Sequence, residues 1–459
     1  MPSVRGVRIY VTGTAKHRKR PDSMVSVSKI TGDNRRFLFL QGPHGPFFSR
    51  LSRMLRAAGA QTLRVGFNRG DQAFWGDTSR YIPFTKTLED WPDTLTGLLT
   101  DHAITDVVLY GDSRPVHARA VEIARDQGIT VHVFEEGYLR PFWVTYERGG
   151  ANGHSRLINF SIDEIRARLH RADHEPMEIP DHWGDMRQHI FYGALYHAFV
   201  LCANGRYRAL KTHRSIPVSA EFRLYLKRLL LMPWLRAERA IATARVRRGG
   251  FPYHVVLLQL DHDASFLAHS GFADSAEFLT AVVNGFAAGA PGHHHLVVKA
   301  HPLEDGRGNP RAALFRAARQ AGIAGRVHFL RGGKLARLLD HARSAVTVNS
   351  TSGQQVLYRG LPLRSFGSAV YAKPELVSDQ PVDAFFADPK RPDRLAYQDF
   401  RQFLLETSQV AGGFYSLRGR RQLLRLVVDM MLLADDPYDA LNQGTAAPRQ
   451  QLHAQGRAT

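Results

Sequence analysis

The sequence repeats one unit, in which a short apolar run is followed by a polar, often glycine-containing turn and then by a helical pattern. In the first third of the chain the apolar runs cover residues 37–40, 62–67, 106–110 and 131–134. Apolar residues at helical spacing lie between them, near 47–58, 91–102 and 115–127. Strands that alternate with helices predict a parallel sheet with right-handed crossovers and helices on both faces.

The same unit returns in the second half of the chain. Apolar runs cover residues 253–260, 295–299, 327–330, 345–348 and 363–366, and helical patterns lie near 275–288, 310–321, 334–341 and 353–358. Residues 150–250 interrupt the alternation. We therefore predict an α/β fold that resembles the GT-B architecture: two Rossmann-like domains with parallel sheets facing a central cleft, plus a helical connector.

Domain boundaries follow from these patterns and from composition. The predicted parts are a disordered basic arm (1–33), a first Rossmann-like domain (34–170), a basic helical connector (171–250), a second Rossmann-like domain (251–380), C-terminal helices that cross back (381–440) and a disordered tail (441–459). The arm and the tail are polar and unpatterned, and such segments cannot bury enough apolar surface to order themselves.

The chain is strongly basic, with 61 Lys and Arg residues against 42 Asp and Glu and a formal net charge of +19. Such a charge attracts polyanions, which include nucleic acid, anionic lipid and acidic or phosphorylated substrates. The positive charge is densest in residues 204–248, which contain twelve Lys or Arg but only two acidic residues, Glu221 and Glu238. Leucines and Trp234 lie among these charges. Two interpretations remain open: the segment rests on an anionic bilayer, or it is a solvated connector.

Cysteine content and hydropathy indicate a compartment. The single cysteine, Cys202, excludes an internal disulfide framework and a zinc site of several thiolates, so a reducing compartment is the simpler interpretation. The first residues lack the apolar stretch of a signal peptide, and no run of about 18 apolar residues is present. We expect a cytoplasmic protein.

Acidic residues follow several of the predicted strands of the first half. Asp71 and Asp112 each come directly after a strand, and Glu135 and Glu136 end the strand 131–134. Ligands of parallel α/β sheets bind at the carboxyl ends of strands, where a carboxylate can act as general base or nucleophile. The alternative that remains open is that these acidic residues are merely solvated or cap the following helix. Strand alternation sends Glu135 and Glu136 to opposite sides, so Asp112 stays a rival.

Other residues near these strand ends suit the binding of an acceptor and an acidic sugar. Glycines in the turn QGPHGP permit close approach of a ligand to the backbone, and nearby cations would neutralise a carboxylate. The predicted acceptor- and sugar-binding residues are Gly42, His44, Gly45, Asp71, Arg114, His117, Tyr138 and Arg140.

In the second half, two motifs suit a phosphate. His301 follows a strand and can donate to a phosphate or protonate a leaving group. The NSTSG turn brings hydroxyls and backbone N–H groups to a helix start, where an ordinary N-cap is the alternative. The predicted nucleotide- and phosphate-binding residues are Gln259, Asp263, Lys299, His301, Pro302, Asn349, Ser350, Thr351, Ser352 and Gly353.

Two stretches look superficially like metal sites. Asp261 and Asp263 match a DxD motif, but that motif belongs to a different glycosyltransferase fold. His293, His294 and His295 are consecutive, and successive strand residues point to opposite faces. We predict no metal at either stretch.

Seven motifs together resemble the bacterial capsule polysaccharide biosynthesis and export family, with its KpsS/LipB-type β-Kdo transferases. They lie at residues 41–48, 67–75, 110–117, 134–141, 258–263, 299–302 and 349–353, and the resemblance covers about 36–375. The acid-acid-Gly, His-Pro and Ser/Thr motifs are also similar to those of bacterial GT-B sialyltransferases, which use a CMP-activated 2-keto acid sugar.

The resemblance implies a donor, an acceptor and roles for residues. The donor would be CMP-β-Kdo, with no cofactor and no obligatory metal, and the acceptor a phosphatidylglycerol-type glycolipid at the cytoplasmic face of the inner membrane. His301 and the residues from Ser350 to Ser352 would hold the CMP phosphate, while Glu135, Glu136 or Asp112 would activate the acceptor or attack the sugar. Other capsule assembly proteins are expected partners.

A non-catalytic export or scaffold protein that binds the capsule glycolipid is the alternative function. A nucleic-acid binder is suggested only by the charge, and the sequence contains no recognisable RNA- or DNA-binding motif. We therefore predict no nucleic-acid partner.

Overall fold

The computed structural model describes residues 31–171, 186–210, 223–224, 230–260, 266, 270–301, 304 and 308–444. Residues 1–30 of the predicted arm and 445–459 of the predicted tail lie outside this described part, as do two predicted site residues, Asp263 and Pro302.

Strands and helices alternate in both halves of the chain. The strands are β1 (Arg36–Phe39), β2 (Gln61–Gly66), β3 (Tyr81–Pro83), β4 (Asp106–Tyr110), β5 (Thr130–Glu136), β6 (Trp143–Arg148), β7 (Tyr253–Leu257), β8 (His295–Lys299), β9 (Val327–Leu330), β10 (Ala342–Thr347), β11 (Leu363–Ser365) and β12 (Gln409–Ala411).

The helices complete the alternation. They are α1 (Phe47–Ala57), α2 (Arg69–Trp75), α3 (Trp91–Asp101), α4 (Pro115–Asp126), α5 (Ile162–Leu169), α6 (Met186–Ala203), α7 (Met232–Arg248), α8 (Ser275–Gly289), α9 (Pro310–Gln320), α10 (Leu335–Leu339), α11 (Gly353–Tyr358), α12 (Val382–Ala387), α13 (Arg394–Thr407), α14 (Leu417–Leu432) and α15 (Pro437–Asn442).

Within the described residues, the first sheet has the strand order β12-β6-β5-β4-β1-β2-β3. Strands β1 to β5 are parallel, and helices cover both faces. Phe37 and Phe39 of β1 pack with α1 and α14, while Leu38 packs on the other face with α3 and α4. A strand that is apolar on both faces is what a doubly covered parallel sheet requires.

The second sheet has the order β11-β10-β7-β8-β9 and is parallel throughout its described strands. Val255 of β7 packs with α11 and α13, and Val256 packs on the opposite face with α8 and α9. The predicted fold of two α/β domains is therefore confirmed, since each half carries its own parallel sheet with helices on both sides.

One edge of the first sheet differs from the predicted all-parallel arrangement. After β5 the chain turns back, and β6 pairs antiparallel with β5; β12 then pairs antiparallel with β6. Val144 and Tyr146 of β6 are buried against α1 and α14, so apolar alternation holds this strand in place. The first sheet is thus mixed.

The C-terminal segment joins the two halves. Helix α13 packs against α5, strand β12 lies at the edge of the first sheet, and α14 packs against α1. Gln409 of β12 pairs with Thr145 of β6, and its side chain accepts a hydrogen bond from the backbone N–H of Leu139 at 3.2 Å. The chain therefore crosses back with a strand as well as with helices.

A buried lysine makes a second connection between the halves. Lys373, which follows the second sheet, donates through Nζ to the carbonyl oxygens of Leu157 and Ile158, both at 2.7 Å. Burial lowers the pKa of this ammonium to about 8. The two carbonyls thus hold the loop after β11 against the residues that precede α5.

Candidate active site

A small pocket opens between the two halves. Tyr138 and Asn152 line it from the first half. The second half contributes Asn349, Thr351, Gln354, Ser368, Ala369, Val370 and Tyr371. None of these described lining residues carries a formal charge.

The ends of two central strands of the second sheet are tied together at the pocket. Gln259, just beyond β7, donates through Nε2 to Oδ1 of Asn349 at 2.6 Å, and the backbone N–H of Asn349 donates back to Gln259 at 3.1 Å. Both residues are buried. This reciprocal pair fixes the start of the NSTSG turn.

The NSTSG turn is closed by its own backbone. The N–H groups of Gly353, Gln354 and Gln355 donate to the carbonyl oxygens of Ser350, Thr351 and Ser352, at 2.9, 3.1 and 3.0 Å. These three donors are therefore already engaged within the turn. Of the three predicted residues from Ser350 to Ser352, Thr351 is the one that lines the pocket.

A tyrosine packs directly on this turn and explains its glycine. The Tyr371 hydroxyl donates to the carbonyl of Ser350 at 2.7 Å, and a Cβ built on Gly353 would lie 2.6 Å from that ring. Only glycine leaves room for the tyrosine, which itself lines the pocket.

Lys299 and His301 lie at the end of β8. Lys299 is buried, and burial lowers its pKa. The strand order places β7 between β8 and β10, so the strand ends that carry Lys299 and Asn349 are separated by about 10 Å. Gln259, Lys299 and Asn349 therefore share one edge of the sheet, while Asp263 and Pro302 lie outside the described residues.

On the first-half wall, a buried carboxylate holds the two lining residues. Glu147 of β6 accepts hydrogen bonds from the hydroxyls of Tyr138 at 2.7 Å, Tyr438 at 2.8 Å and Ser155. The Tyr138 hydroxyl in turn accepts from the backbone N–H of Asn152 at 2.6 Å. Glu147 thus fixes Tyr138 and, through it, the loop of Asn152.

Glu147 gives the protein a predicted pH dependence. Burial raises the pKa of Glu147 to about 7, against roughly 4.3 for an unfolded glutamate. Between these values the folded state binds more protons, so this contribution to stability is complete below about pH 4.3 and is lost as the pH rises through 7. The loss is on the order of 3 kcal/mol.

Urea unfolding at pH 5 and pH 8 tests this prediction. Glu147→Gln mimics the protonated acid, so we expect its free energy of unfolding to fall less than that of the wild type between the two pH values. Glu122→Gln, at an exposed glutamate paired with Arg119, is the control and should behave as wild type. Equal pH dependence in the wild type and Glu147→Gln would exclude this titration.

Asp112 is committed to the protein's own backbone. Its carboxylate accepts from the Ala151 N–H at 2.8 Å, lies 3.2 Å from Nδ1 of His154 and accepts from Ser113 at 3.1 Å. Burial alone would raise its pKa, but the hydrogen bonds of His154 and Ala151 outweigh burial and lower it. This geometry favours a positioning role, because Asp112 holds the loop that carries Asn152.

Glu135 and Glu136 are the last two residues of β5 and are half-buried. The Tyr110 hydroxyl donates to Oε1 of Glu136 at 3.3 Å. Glu135 lies against the neighbouring turn instead, since a Cβ on Gly111 would lie 3.0 Å from its Oε2. Neither glutamate lines the pocket itself, but Glu136 is two residues, at most about 7 Å of chain, from Tyr138.

Helix α6 covers the glycine-rich turn after β1. A Cβ on Gly45, whose φ is +114°, would meet the ring of Tyr192 at 3.2 Å, and His44 stacks on Tyr196 with ring centroids 4.4 Å apart. At Gly42 a Cβ would meet the ring of Phe48 at 2.5 Å. The space that these glycines leave beside their backbone is thus occupied by the protein's own aromatic rings.

Asp71 lies beneath the same helix and is fully buried. It accepts hydrogen bonds from the Arg64 guanidinium at 3.1 Å, the Phe67 N–H at 3.0 Å and the Tyr196 hydroxyl at 3.1 Å. With these donors around it, Asp71 anchors α6 to the first sheet.

The predicted cations of the first half differ in their surroundings. Arg114 donates to Gln41 at 2.6 Å and lies over the ring of Tyr110, 5.7 Å from its centroid. His117 is buried, with Nδ1 2.6 Å from the Gly111 carbonyl oxygen. Arg140 is exposed beyond β5. Arg114 is therefore the cation that shares a surface with Glu136, because both contact Tyr110.

The structure thus gathers some predicted residues and adds others. Tyr138, Asn349 and Thr351 meet in the pocket, with Glu136 and Arg114 at the adjacent strand ends. The residues that no sequence motif predicted are Asn152, Gln354, Ser368, Ala369, Val370, Tyr371 and Glu147. Residues 368–371 follow β11, so the rule that ligands bind beyond strand ends applies to them as well.

The described residues contain neither a metal-ligand cluster nor a membrane-spanning helix. No group of three or more His, Cys, Asp or Glu side chains there is arranged to hold a metal ion. No helix in that part of the chain is long and apolar enough to cross a membrane.

Comparison with known proteins assigns a family. Residues 105–415 match the profile described as capsule polysaccharide biosynthesis protein, which is more than half of the chain. The chain belongs to the capsule polysaccharide biosynthesis family. This confirms the family that the seven motifs predicted.

Relatives of this capsule biosynthesis protein are found in two bacteria. The capsule polysaccharide export protein KpsS of Escherichia coli is 27% identical over 382 residues, which cover 83% of this chain and 97% of the relative. The capsule polysaccharide modification protein LipB of Neisseria meningitidis serogroup B is 29% identical over 394 residues, covering 83% and 91%.

Solved structures show a weaker similarity. The β-Kdo 2,7 transferase of Thermosulfurimonas dismutans KpsC superposes with a TM-score of 0.41 at 13% identity and covers 86% of this chain and 99% of its own. This similarity is too low to assign an activity.

Proposed function

We propose that this capsule biosynthesis protein is a glycosyltransferase. It moves Kdo, or a related acidic sugar, from CMP-β-Kdo to a phosphatidylglycerol-type glycolipid during synthesis of the capsule linker. The observation that carries the proposal is the pocket between two α/β halves, because the carboxyl ends of β5 and β10 meet there. Ligands of open α/β sheets bind at such strand ends.

The second half supplies the donor side. Lys299 and His301 lie at the end of β8, two strands from the NSTSG turn. An ammonium and an imidazole there would stabilise the phosphate charge that develops as CMP leaves the sugar. His301 would donate a proton to that phosphate.

The first half supplies the acceptor side. In the transfer, the acceptor hydroxyl oxygen forms a bond to the anomeric carbon of the sugar, the bond from that carbon to the phosphate oxygen breaks, and CMP departs. Glu136 would take the hydroxyl proton as general base. Arg114, which contacts Tyr110 beside Glu136, would bind the carboxylate of the sugar.

Two helices suggest how a lipid acceptor reaches the site. Ile190 and Phe191 of α6 and Trp234 and Ile241 of α7 are each more than 60% exposed. The opposite face of α6 covers His44 and Gly45. With the net charge of +19, these helices suit the surface of an anionic inner membrane on its cytoplasmic side.

Vesicle sedimentation tests this membrane contact. We expect the protein to bind vesicles that contain phosphatidylglycerol, and the double variant Phe191→Ser/Trp234→Ser to bind them at least about fivefold more weakly, since each change removes a large exposed apolar side chain. Tyr358→Ser, on α11 and equally exposed, is the control. A double variant that binds like wild type would remove α6 and α7 from the membrane contact.

A transfer assay tests the activity. Purified protein, CMP-Kdo and a phosphatidylglycerol-type acceptor in vesicles should give a glycolipid whose mass is increased by one Kdo residue, with and without EDTA. His301→Ala should lower the rate. Saturable glycolipid binding without product, in the wild type and in His301→Ala alike, would instead favour the non-catalytic export or scaffold function.

A further inference from the structure

Gln41 connects two charged side chains of the first half, and its amide has one orientation. Its Oε1 accepts a hydrogen bond from the Arg114 guanidinium at 2.6 Å, and its Nε2 donates to the Asp71 carboxylate at 3.4 Å. A guanidinium can only donate, and an ionised carboxylate can only accept. The reversed amide would therefore place donor against donor at one end and acceptor against acceptor at the other.

Other contacts fix Gln41 in place. Its carbonyl oxygen accepts from the backbone N–H of Tyr110 at 3.2 Å, which continues the pairing of β1 with β4. Its Nε2 also donates to the Tyr196 hydroxyl at 2.8 Å. That hydroxyl donates to Asp71 at 3.1 Å and accepts from Asn68 at 2.6 Å. Backbone and side chain are thus both held, so the Oε1 atom of Gln41 has a defined position.

Arg114 is held by groups that carry no formal charge. It donates to the neutral oxygen of Gln41, and its guanidinium carbon lies 5.7 Å from the centroid of the Tyr110 ring. The side chain is partly exposed, and the same tyrosine donates to Glu136. A guanidinium held by a neutral acceptor keeps its charge for an anionic group of a substrate, whereas a carboxylate in the same place would neutralise it.

We propose that Gln41 is the positioning residue that holds Arg114 for the carboxylate of the acidic sugar. The proposal rests on the proposed function, in which Arg114 binds the carboxylate of Kdo. A glutamine suits this position because one amide offers an acceptor to Arg114 and a donor to Asp71 and Tyr196. A glutamate would neutralise Arg114 and place a second carboxylate beside Asp71.

Gln41→Met tests the positioning role, because methionine is unbranched and similar in size but lacks the amide. We expect the KM for CMP-Kdo to rise about tenfold and kcat to change less than about threefold, since the carboxylate is bound alike in the substrate and in the transition state. In an Arg114→Met background, Gln41→Met should raise the KM no further, because Gln41 acts through Arg114. A purely structural role of Gln41 would give the same effect in both backgrounds.

A second glutamine provides a matched control. Gln72 of α2 also accepts through Oε1 from an arginine and a tyrosine, Arg69 at 2.8 Å and Tyr207 at 3.3 Å, and neither of these is a proposed site residue. Gln72→Met should have the kcat and KM of the wild type.

Tyr196→Phe perturbs Gln41 from its other end. It removes one of the two acceptors of Nε2, while the ring keeps its stack on His44. We expect the KM for CMP-Kdo to rise by about threefold, the effect of one lost hydrogen bond. If Gln41→Met does not fold, this variant decides, and a wild-type KM in Tyr196→Phe would then contradict the inference.

Initial rates in the transfer assay give these constants, with CMP as a competitive inhibitor and thermal unfolding of each variant. CMP lacks the sugar carboxylate, so its inhibition constant should be the same in the wild type and in Gln41→Met. Equal increases for CMP and CMP-Kdo, or a Gln41→Met variant with the wild-type KM, overturn the inference alone. A wild type that transfers no Kdo shows that the proposed function is wrong, and the inference with it.

Discussion

Glu136→Gln is expected to lower kcat by roughly 10²–10⁴-fold, the usual contribution of a general base. The amide keeps the size of the carboxylate and can still accept from Tyr110, but it cannot take a proton. The KM for CMP-Kdo should change little, because Glu136 belongs to the proposed acceptor side. Initial rates in the transfer assay give both quantities.

The geometry distinguishes Glu136 from its neighbour. Glu136 accepts from the Tyr110 hydroxyl, and the Arg114 guanidinium lies over the ring of the same tyrosine, so two predicted site residues meet on this face of the sheet. Glu135 leaves β5 on the other face, beside Gly111. Successive strand residues point to opposite faces, so a single sugar contacts one of the two carboxylates.

Glu135→Gln is therefore the matched comparison. Both variants should melt within about a degree of the wild type, since each replaces a half-buried carboxylate by its amide. If Glu135→Gln lost the larger share of kcat, the roles of the two glutamates would be exchanged. If both variants kept nearly full activity, the base would have to come from another part of the chain.

Asp106→Ala is expected to lower the free energy of unfolding by about 3–5 kcal/mol. Asp106 is fully buried at the start of β4 and accepts from the Arg35 guanidinium and from Nε2 of His132 at 2.8 Å. Burial alone would raise its pKa, but the bonds from Arg35 and His132 hold that pKa well below its ordinary value. Removal of the carboxylate leaves Nε2 of His132 without this partner and deprives the Arg35 guanidinium of its counter-ion, although Arg35 still donates to the Met431 carbonyl oxygen.

Urea unfolding of the two variants Asp106→Ala and Asp77→Ala measures the effect. Asp77 pairs with Arg56 at 2.7 Å, but both side chains are about one-quarter to one-third exposed, so its removal should cost less than about 1 kcal/mol. Asp106 lies at the end of β4 opposite to Tyr110, about 13 Å away. Folded Asp106→Ala should therefore retain its kcat, and equal destabilisation by the two variants would contradict a buried network.

The repeating unit in the sequence predicted much of the fold. The helix predicted at 353–358 is observed at those residues, and β4 and β8 have their predicted bounds. These elements combine local apolar patterns with clear turn signals, so short-range information suffices. The predicted strand 131–134 extends to Glu136, because pairing with β6 carries the ladder beyond the apolar run.

Two of the strands that no sequence pattern predicted, β12 and β3, are too short to show a pattern of their own. Strand β12 has three residues, Gln409 to Ala411, too few to show alternation, and it pairs with β6, more than 260 residues earlier. Strand β3 is also three residues long and lies in the aromatic loop after α2. Such strands are held by the sheet that receives them rather than by their own pattern.

The site was predicted in part for a similar reason. A strand-end acid looks the same in a sequence whether it faces a cleft or binds the protein's own backbone, so Asp71 and Asp112 were singled out with Glu136. Gln354 was overlooked because a glutamine after a helix start is ordinary in a sequence. Its place in the wall of the pocket depends on tertiary packing, which the local sequence pattern does not show.

The pairing of β12 with β6 also bears on how this protein must be made. Residues 409–411 form the edge strand of the first sheet. The sheet therefore stays incomplete on the ribosome until nearly the whole described chain has been synthesised. Until then β6 presents an open ladder of N–H and C=O groups that another chain could join. A fragment that ends between the two halves would keep that exposed edge, so expression of the first half alone should favour aggregation.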